Sequence, residues 1–222
     1  FTQKEMQKYL PNVPKEEFPG IRIQGEPEGG EENLLDFFNE NARVLIRNRY
    51  NDCFIKGMRG GTLAYDEFIP EKALYCNGAT GREMHNWNPY WYTKIYGEAA
   101  REIVGDDYIY FCRGACAGSQ QWAAVYSGDQ PATLYGLRQQ LRGGLSIGLC
   151  GFSIWSGDMA GYEGTPDEET FIRGVEFSAF QPLMRAHGAR TRCPWDFGKQ
   201  AEEVYVRYYW LRENFVELLY SA

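Results

Sequence analysis

The sequence predicts an α/β fold with parallel strands. Apolar runs of strand length alternate with stretches of helical period along most of the 222 residues. Three successive runs, Tyr108–Cys112, Trp122–Ser127 and Leu149–Trp155, lead to an ionisable residue each: Arg113, Asp129 and Asp158. These three residues stand among glycines and aromatics, and a barrel enzyme gathers its chemistry in this way at the carboxyl ends of its strands.

The elements follow in order. Residues 1–32 read as a loop or linker, because the stretch is polar and GEPEGGEE at 25–32 is rich in Glu, Gly and Pro. The domain proper then runs over 33–222. Leu34, Phe38, Leu45 and Ile46 recur at helical spacing and predict a helix over Leu34–Tyr50. Phe54–Ala64, apolar with three glycines, reads as a strand entered through a turn. Residues 66–81 form a loop marked by Pro70 and the Asn77-Gly78 turn signal. Arg82–Val104 is a second helix, which Pro89 kinks or restarts.

The strands before Arg113 and Asp129 come next, then a helix over Thr133–Arg142 and a strand ending at Trp155. A loop to Pro166 precedes a helix at about 167–180, and Gln181–His187 reads as a last short strand. Ala201–Tyr220 carries Val204, Tyr208, Leu211, Phe215 and Leu218 on one stripe, the mark of an amphipathic helix. The whole amounts to about five βα units.

Bulk properties narrow the function. The formal net charge is −7 and no basic stripe is visible, which argues against nucleic acid as a partner. No run of 18 apolar residues predicts a membrane helix, and FTQKEMQKYL lacks the apolar core of a signal peptide. The six cysteines are scattered. Cys112 and Cys116 have no second Cys/His pair to complete a zinc site, so all six read as reduced structural thiols, a cytoplasmic pattern. The aromatic content, 16%, suits either a pocket that stacks on sugar rings or a core filled with rings.

Cleaving a glycosidic bond takes two carboxyls, one to protonate the leaving oxygen and one to attack the sugar or activate water. Asp129, in YSGDQP, follows a strand and precedes a helix, where it can overhang a pocket beside Tyr126 and Trp122. It can equally cap the following helix, with Pro131 near the first turn. Asp158, in WSGDMAGYEG, lies among small residues that let a ligand approach, or it forms an Asx-turn. Arg113 ends an apolar strand, where an unpaired cation is costly, so it clamps substrate or pairs with an aspartate. His187, after the last apolar run and before Gly188, leans to the site; His85, within a helix, leans to structure.

Several long motifs stand together in one order. RGACAGSQ (113–120), YSGD (126–129), LRGGLSIGLCGFSIWSGDMAGYEGTPD (141–167) and PLMRAHG (182–188) resemble consecutive segments of glycoside hydrolase family 31. NGATGREMHN (77–86) is similar to its α-xylosidase-like members, and LLDFFNENAR (34–43) to the helix before the family's nucleophile strand. The resemblance implies a (β/α)8 barrel of which this chain supplies roughly the fourth to eighth units. It also implies a retaining α-glycosidase acting by double displacement on α-glucosides, α-xylosides or related oligosaccharides, without metal or organic cofactor. Matched motif by motif, Asp129 becomes the general acid/base. Arg113, Trp155, Asp158 and His187 line the subsite of the cleaved sugar, with Trp122 a further sugar contact.

Two departures from the family accompany the match. The nucleophile is expected in a strand reading approximately G-F-K-x-D-x-x-E, and here the stretch is Gly60-Gly61-Thr62-Leu63-Ala64-Tyr65-Asp66-Glu67. With Glu67 and Ile69-Pro70 in register, the nucleophile position falls on Ala64 and the usual Lys on Thr62. Asp66 takes the role after a slip of two, which keeps the same strand face, or the chain was mutated or is a catalytically impaired, sugar-binding homologue. The family's earlier strands have no counterpart here either. An open barrel exposes unpaired edges, so the rest of the same polypeptide or a complementing chain is expected to close it.

Overall fold

Regular structure begins where the sequence predicts a linker. In the computed structural model, which describes residues 1–23, 34–64 and 67–221, Thr2 and Glu5 cap one another's backbone and start α1 (Gln3–Tyr9). Met6 and Leu10 are buried behind it, so the polar composition of 1–23 conceals an ordered segment. The acidic GEPEGGEE stretch lies outside the described residues. The chain divides into two compact units, Phe1–Ala123 and Ala124–Ala222.

In the first unit, β1 (Arg22–Ile23) is followed by α2 (Glu40–Ile55), whose first turn is capped by the Asn39 side chain accepting from Asn41 N. This helix runs past Tyr50 and buries Phe54, so the strand predicted over Phe54–Ala64 shortens to β2 (Gly60–Leu63). β3 (Ala73–Leu74) pairs antiparallel with β1. The helix predicted over Arg82–Val104 is two: α3 (Gly81–Met84), started by a Thr80/Glu83 capping box, and α4 (Asn88–Val104). Pro89 sits in the first turn of α4, where its missing N–H costs nothing, and restarts the helix rather than kinking it. β4 (Ile109–Cys112) then lies parallel to β2, with Gly60 opposite Ile109 and Leu63 opposite Cys112.

The second unit opens with β5 (Ala124–Tyr126), α5 (Leu134–Leu149) and β6 (Trp155–Ser156). β5 and β6 are parallel, with Val125 opposite Trp155 and Tyr126 opposite Ser156. α5 continues seven residues beyond the predicted end at Arg142, and the predicted strand Leu149–Trp155 contracts to its last residue and Ser156. Each glycine in a helix interior costs about 0.5–1 kcal/mol, yet α5 passes through Gly143, Gly144 and Gly148. Tertiary packing accounts for one of them: a Cβ at Gly144 would come within 2.0 Å of the Trp155 ring.

α6 (Glu168–Ser178), capped by Asp167, and α7 (Lys199–Glu213) complete the core of this unit. Phe171, Val175, Met159 and Ala201 are fully buried, with Val204 and Tyr208 against them. The predicted helix over Ala201–Tyr220 breaks at Asn214 and resumes as α8 (Val216–Ser221). Its apolar stripe is genuine at Val204 and Tyr208, whereas Leu218 is 62% exposed. Gln181–His187 is no strand; only an isolated parallel bridge joins Arg185 to Asp158. Each unit thus has parallel strands flanked by helices, the α/β composition that the sequence predicts. No helix among the described residues is long and apolar enough to cross a membrane.

Candidate active site

Two groups of side chains stand at strand ends, one in each unit. In the first, Arg113 N donates to Leu63 O at 3.2 Å, continuing the parallel ladder. Ala64 and Arg113 are therefore the first residues past the carboxyl ends of two adjacent strands. The Ala64 carbonyl accepts from Tyr92 Oη at 3.3 Å. The Arg113 guanidinium pairs with Glu67 and lies 5.6 Å from the Phe68 ring. Glu67, three residues past Ala64, is thus a carboxylate partner of this cation. Asp66, the alternative nucleophile, lies outside the described residues.

Trp122 packs within the first unit. It closes a short 3₁₀ turn over Ser119–Gln121, its ring lies against the Gly97 backbone in α4, and the Arg101 guanidinium sits 5.2 Å from it.

The second group follows β5 and β6. Asp129 is exposed and is not the cap of α5, because the Thr133 hydroxyl takes that place by accepting from Gly136 N at 3.1 Å. The helix-cap alternative for Asp129 is therefore set aside. Asp158 is 1% exposed and forms an ion pair with Arg185. Its side chain makes no Asx-turn, and its second oxygen, Oδ2, is buried with no hydrogen-bond partner. Burial pushes the Asp158 carboxyl above the usual carboxylate range. The Arg185 charge and hydrogen bond, and then His187, pull it back, while Asp129 adds to the rise.

Around this pair the local backbone turns sharply. Ala160 adopts φ +61°, a left-handed conformation that costs a non-glycine residue of order 1 kcal/mol and is held only when its surroundings insist. The turn brings Tyr162 under His187, with ring centroids 5.1 Å apart. Tyr126 lies beneath the Arg185 guanidinium at 4.6 Å. An acceptor left without a partner, a cation paired to the same carboxylate and an imidazole on an aromatic ring thus stand in one unit, with the exposed Asp129 carboxyl felt by Asp158.

Strand alternation sends Ser156 and Asp158 one way and Trp155 the other, where its ring lies on Gly144 of α5 and 6.2 Å from Phe177 of α6. Sequence reasoning passed over Arg185 and Tyr162, although both lie inside the quoted motifs. A buried aspartate requires a cation, and Arg185, two residues before His187, was the signal.

Residues 2–222 match the description "Glycosyl hydrolases family 31 TIM-barrel domain". The chain is 34% identical over 174 residues to an α-xylosidase of Emericella nidulans, covering 77% of this chain and 22% of that protein. It is 28% identical over 207 residues to a 1,3-α-isomaltosidase of Kribbella flavida, covering 87% and 28%. Among solved structures, the cycloalternan-forming enzyme of Listeria monocytogenes in complex with a pentasaccharide substrate superposes with a TM-score of 0.80 at 27% identity. That match covers 91% of this chain and 20% of the enzyme. The chain thus spans well under a third of the length of these relatives.

Proposed function

Because the chain belongs to glycosyl hydrolase family 31, by a match to its TIM-barrel domain over residues 2–222, we propose that it is the proton-donating and sugar-holding part of an α-glycoside hydrolase. The relatives named α-xylosidase and 1,3-α-isomaltosidase support an α-glucoside, α-xyloside or related oligosaccharide as substrate. The observation that carries the reading is the environment of Asp129. It is exposed past β5 and is not the cap of α5, while the neighbouring strand delivers a buried carboxylate with an unused acceptor, paired to Arg185.

In this reading Asp129 gives its proton to the glycosidic oxygen as the bond to the anomeric carbon breaks. In the second step it takes a proton from the water that adds to that carbon. Asp158 Oδ2 accepts from a ring hydroxyl, Arg185 keeps that carboxylate charged, and His187 borders the same hydroxyls. Arg113, by its match to the family motif, is assigned to the sugar as well, steadied by Glu67. The earlier barrel strands come from the rest of the polypeptide or a complementing chain, and the six free cysteines support a cytoplasmic setting.

Ala64 favours a second reading, a sugar-binding homologue without turnover. A methyl group stands past the end of β2, where the family pattern has its nucleophile. Hydrolysis of aryl α-glucosides and α-xylosides separates the two. In the first reading Asp129→Asn lowers kcat about 100- to 10,000-fold with sugar binding retained, and undiminished turnover in that variant overturns it. Activity that arises only in Ala64→Asp supports the sugar-binding reading. Activity present in the native chain and lost in Asp66→Ala assigns the attack to Asp66.

A further inference from the structure

Arg192 is 5% exposed and faces backbone carbonyls. Nε donates to Gly161 O at 3.0 Å, and Nη2 to Gly161 O, Tyr162 O and Gly164 O at 2.6, 3.2 and 3.3 Å. Nη1 donates to Thr191 O and Arg190 O at 2.8 and 3.3 Å. A planar fork with five N–H donors reaches several acceptors at once, which a lysine ammonium cannot do. The guanidinium also rests on Gly188, the residue after His187: a Cβ there would meet Arg192 Cζ at 2.6 Å.

The loop so gripped is tied onward to the acid. Tyr162 N and Glu163 N both donate to Gln130 O, at 2.7 and 3.0 Å, and Ala132 N donates to Glu163 O at 2.8 Å. Gly161 fits against this segment only for lack of a side chain, since a Cβ would lie 2.6 Å from Pro131 O. On the other side Ala189 N donates to Tyr162 O at 2.9 Å and Met159 N to Arg185 O at 3.1 Å. Three segments, 129–132, 158–164 and 185–192, are therefore laced together, with Arg192 holding the second against the third.

We propose that Arg192 is the positioning residue of this site, fixing the 158–164 loop and through it the places of Asp129 and His187. It touches no substrate; its effect passes through the loop, and the inference rests on Asp129 as proton donor. A displacement of about 1 Å in such a group costs about 100-fold in rate.

The test uses Arg192→Lys and Arg192→Met in the protein as it stands and with Ala64→Asp. Amide hydrogen exchange is expected to quicken at least about 10-fold at Ala132, Tyr162, Glu163 and Ala189 and to stay unchanged within α6. Turnover of alkyl α-glycosides, whose leaving group needs a proton, is expected to fall about 100-fold. Glycosides with leaving groups that depart unprotonated should lose only a few-fold, and Lys should fail to rescue.

Uniformly quickened exchange, exchange unchanged in the loop, or equal kinetic losses for both leaving-group classes overturns the proposal. Should neither background hydrolyse any α-glycoside, the functional reading fails by itself, and the exchange pattern alone decides for or against Arg192.

Discussion

Asp158 shows how a residue can be singled out from sequence while its surroundings stay hidden. Glycines around it point to a ligand-facing loop, but nothing local foretells its burial or its bond to Arg185, 27 positions later. Asp129 is the converse. Its spacing left cap and acid equally open, and Thr133 occupying the cap removes the first of them. Removing Arg185 leaves a buried, uncompensated carboxylate, so Arg185→Met should destabilise the fold by about 3 kcal/mol near neutral pH, as read from urea unfolding. That loss should shrink in acid, where Asp158 is neutral. Burial holds the folded Asp158 above its ordinary value of 3.8, so the folded state binds the proton more tightly than the unfolded chain. Its contribution to stability is greatest below pH 3.8 and declines as pH rises through the folded pKa. The stability of the native protein relative to Asp158→Asn should therefore fall over that interval and then level off. A difference that rises over it contradicts the raised value.

At the scale of elements, periodicity located most helices and strands but misplaced several ends. Pro89, Thr133 and Asp167 act through local chemistry, and their boundaries were legible or nearly so. The run from Leu149 to Trp155 was not, because an apolar stretch alone does not distinguish a strand from a helix end and a loop. Leu149 is 92% exposed at the end of α5, and what extends the helix is the Trp155 ring against Gly144, a contact no local pattern reports. Gly144→Ala should therefore destabilise by about 1–3 kcal/mol, although alanine is the better helix former by about 1 kcal/mol. In a Trp155→Ala background the same substitution should become neutral or stabilising, and a double-mutant cycle by urea denaturation reads the sign. Thr133→Ala should cost about 1 kcal/mol through loss of the cap.

For the whole molecule, the α/β class was visible in the alternation of elements, while the ordered start at Gln3–Tyr9 was hidden by polar composition that the Thr2/Glu5 box turns to use. The chain covers 22% of the α-xylosidase and 28% of the isomaltosidase it resembles, and the family's barrel closes on eight strands. Expressed alone, the 222 residues are expected to associate, and to become monodisperse when the earlier strands are supplied. Sedimentation velocity with and without them checks this, and a monodisperse lone monomer refutes it. The clamp at Arg192 has a further consequence. Main-chain oxygens neither gain nor lose a proton in the biological range, whereas Asp158 does so in milder acid than an ordinary aspartate. With Asp158 holding the sugar as proposed, acidification should thus loosen the saccharide first, leaving the loops laced and ready to recover once the medium is neutralised.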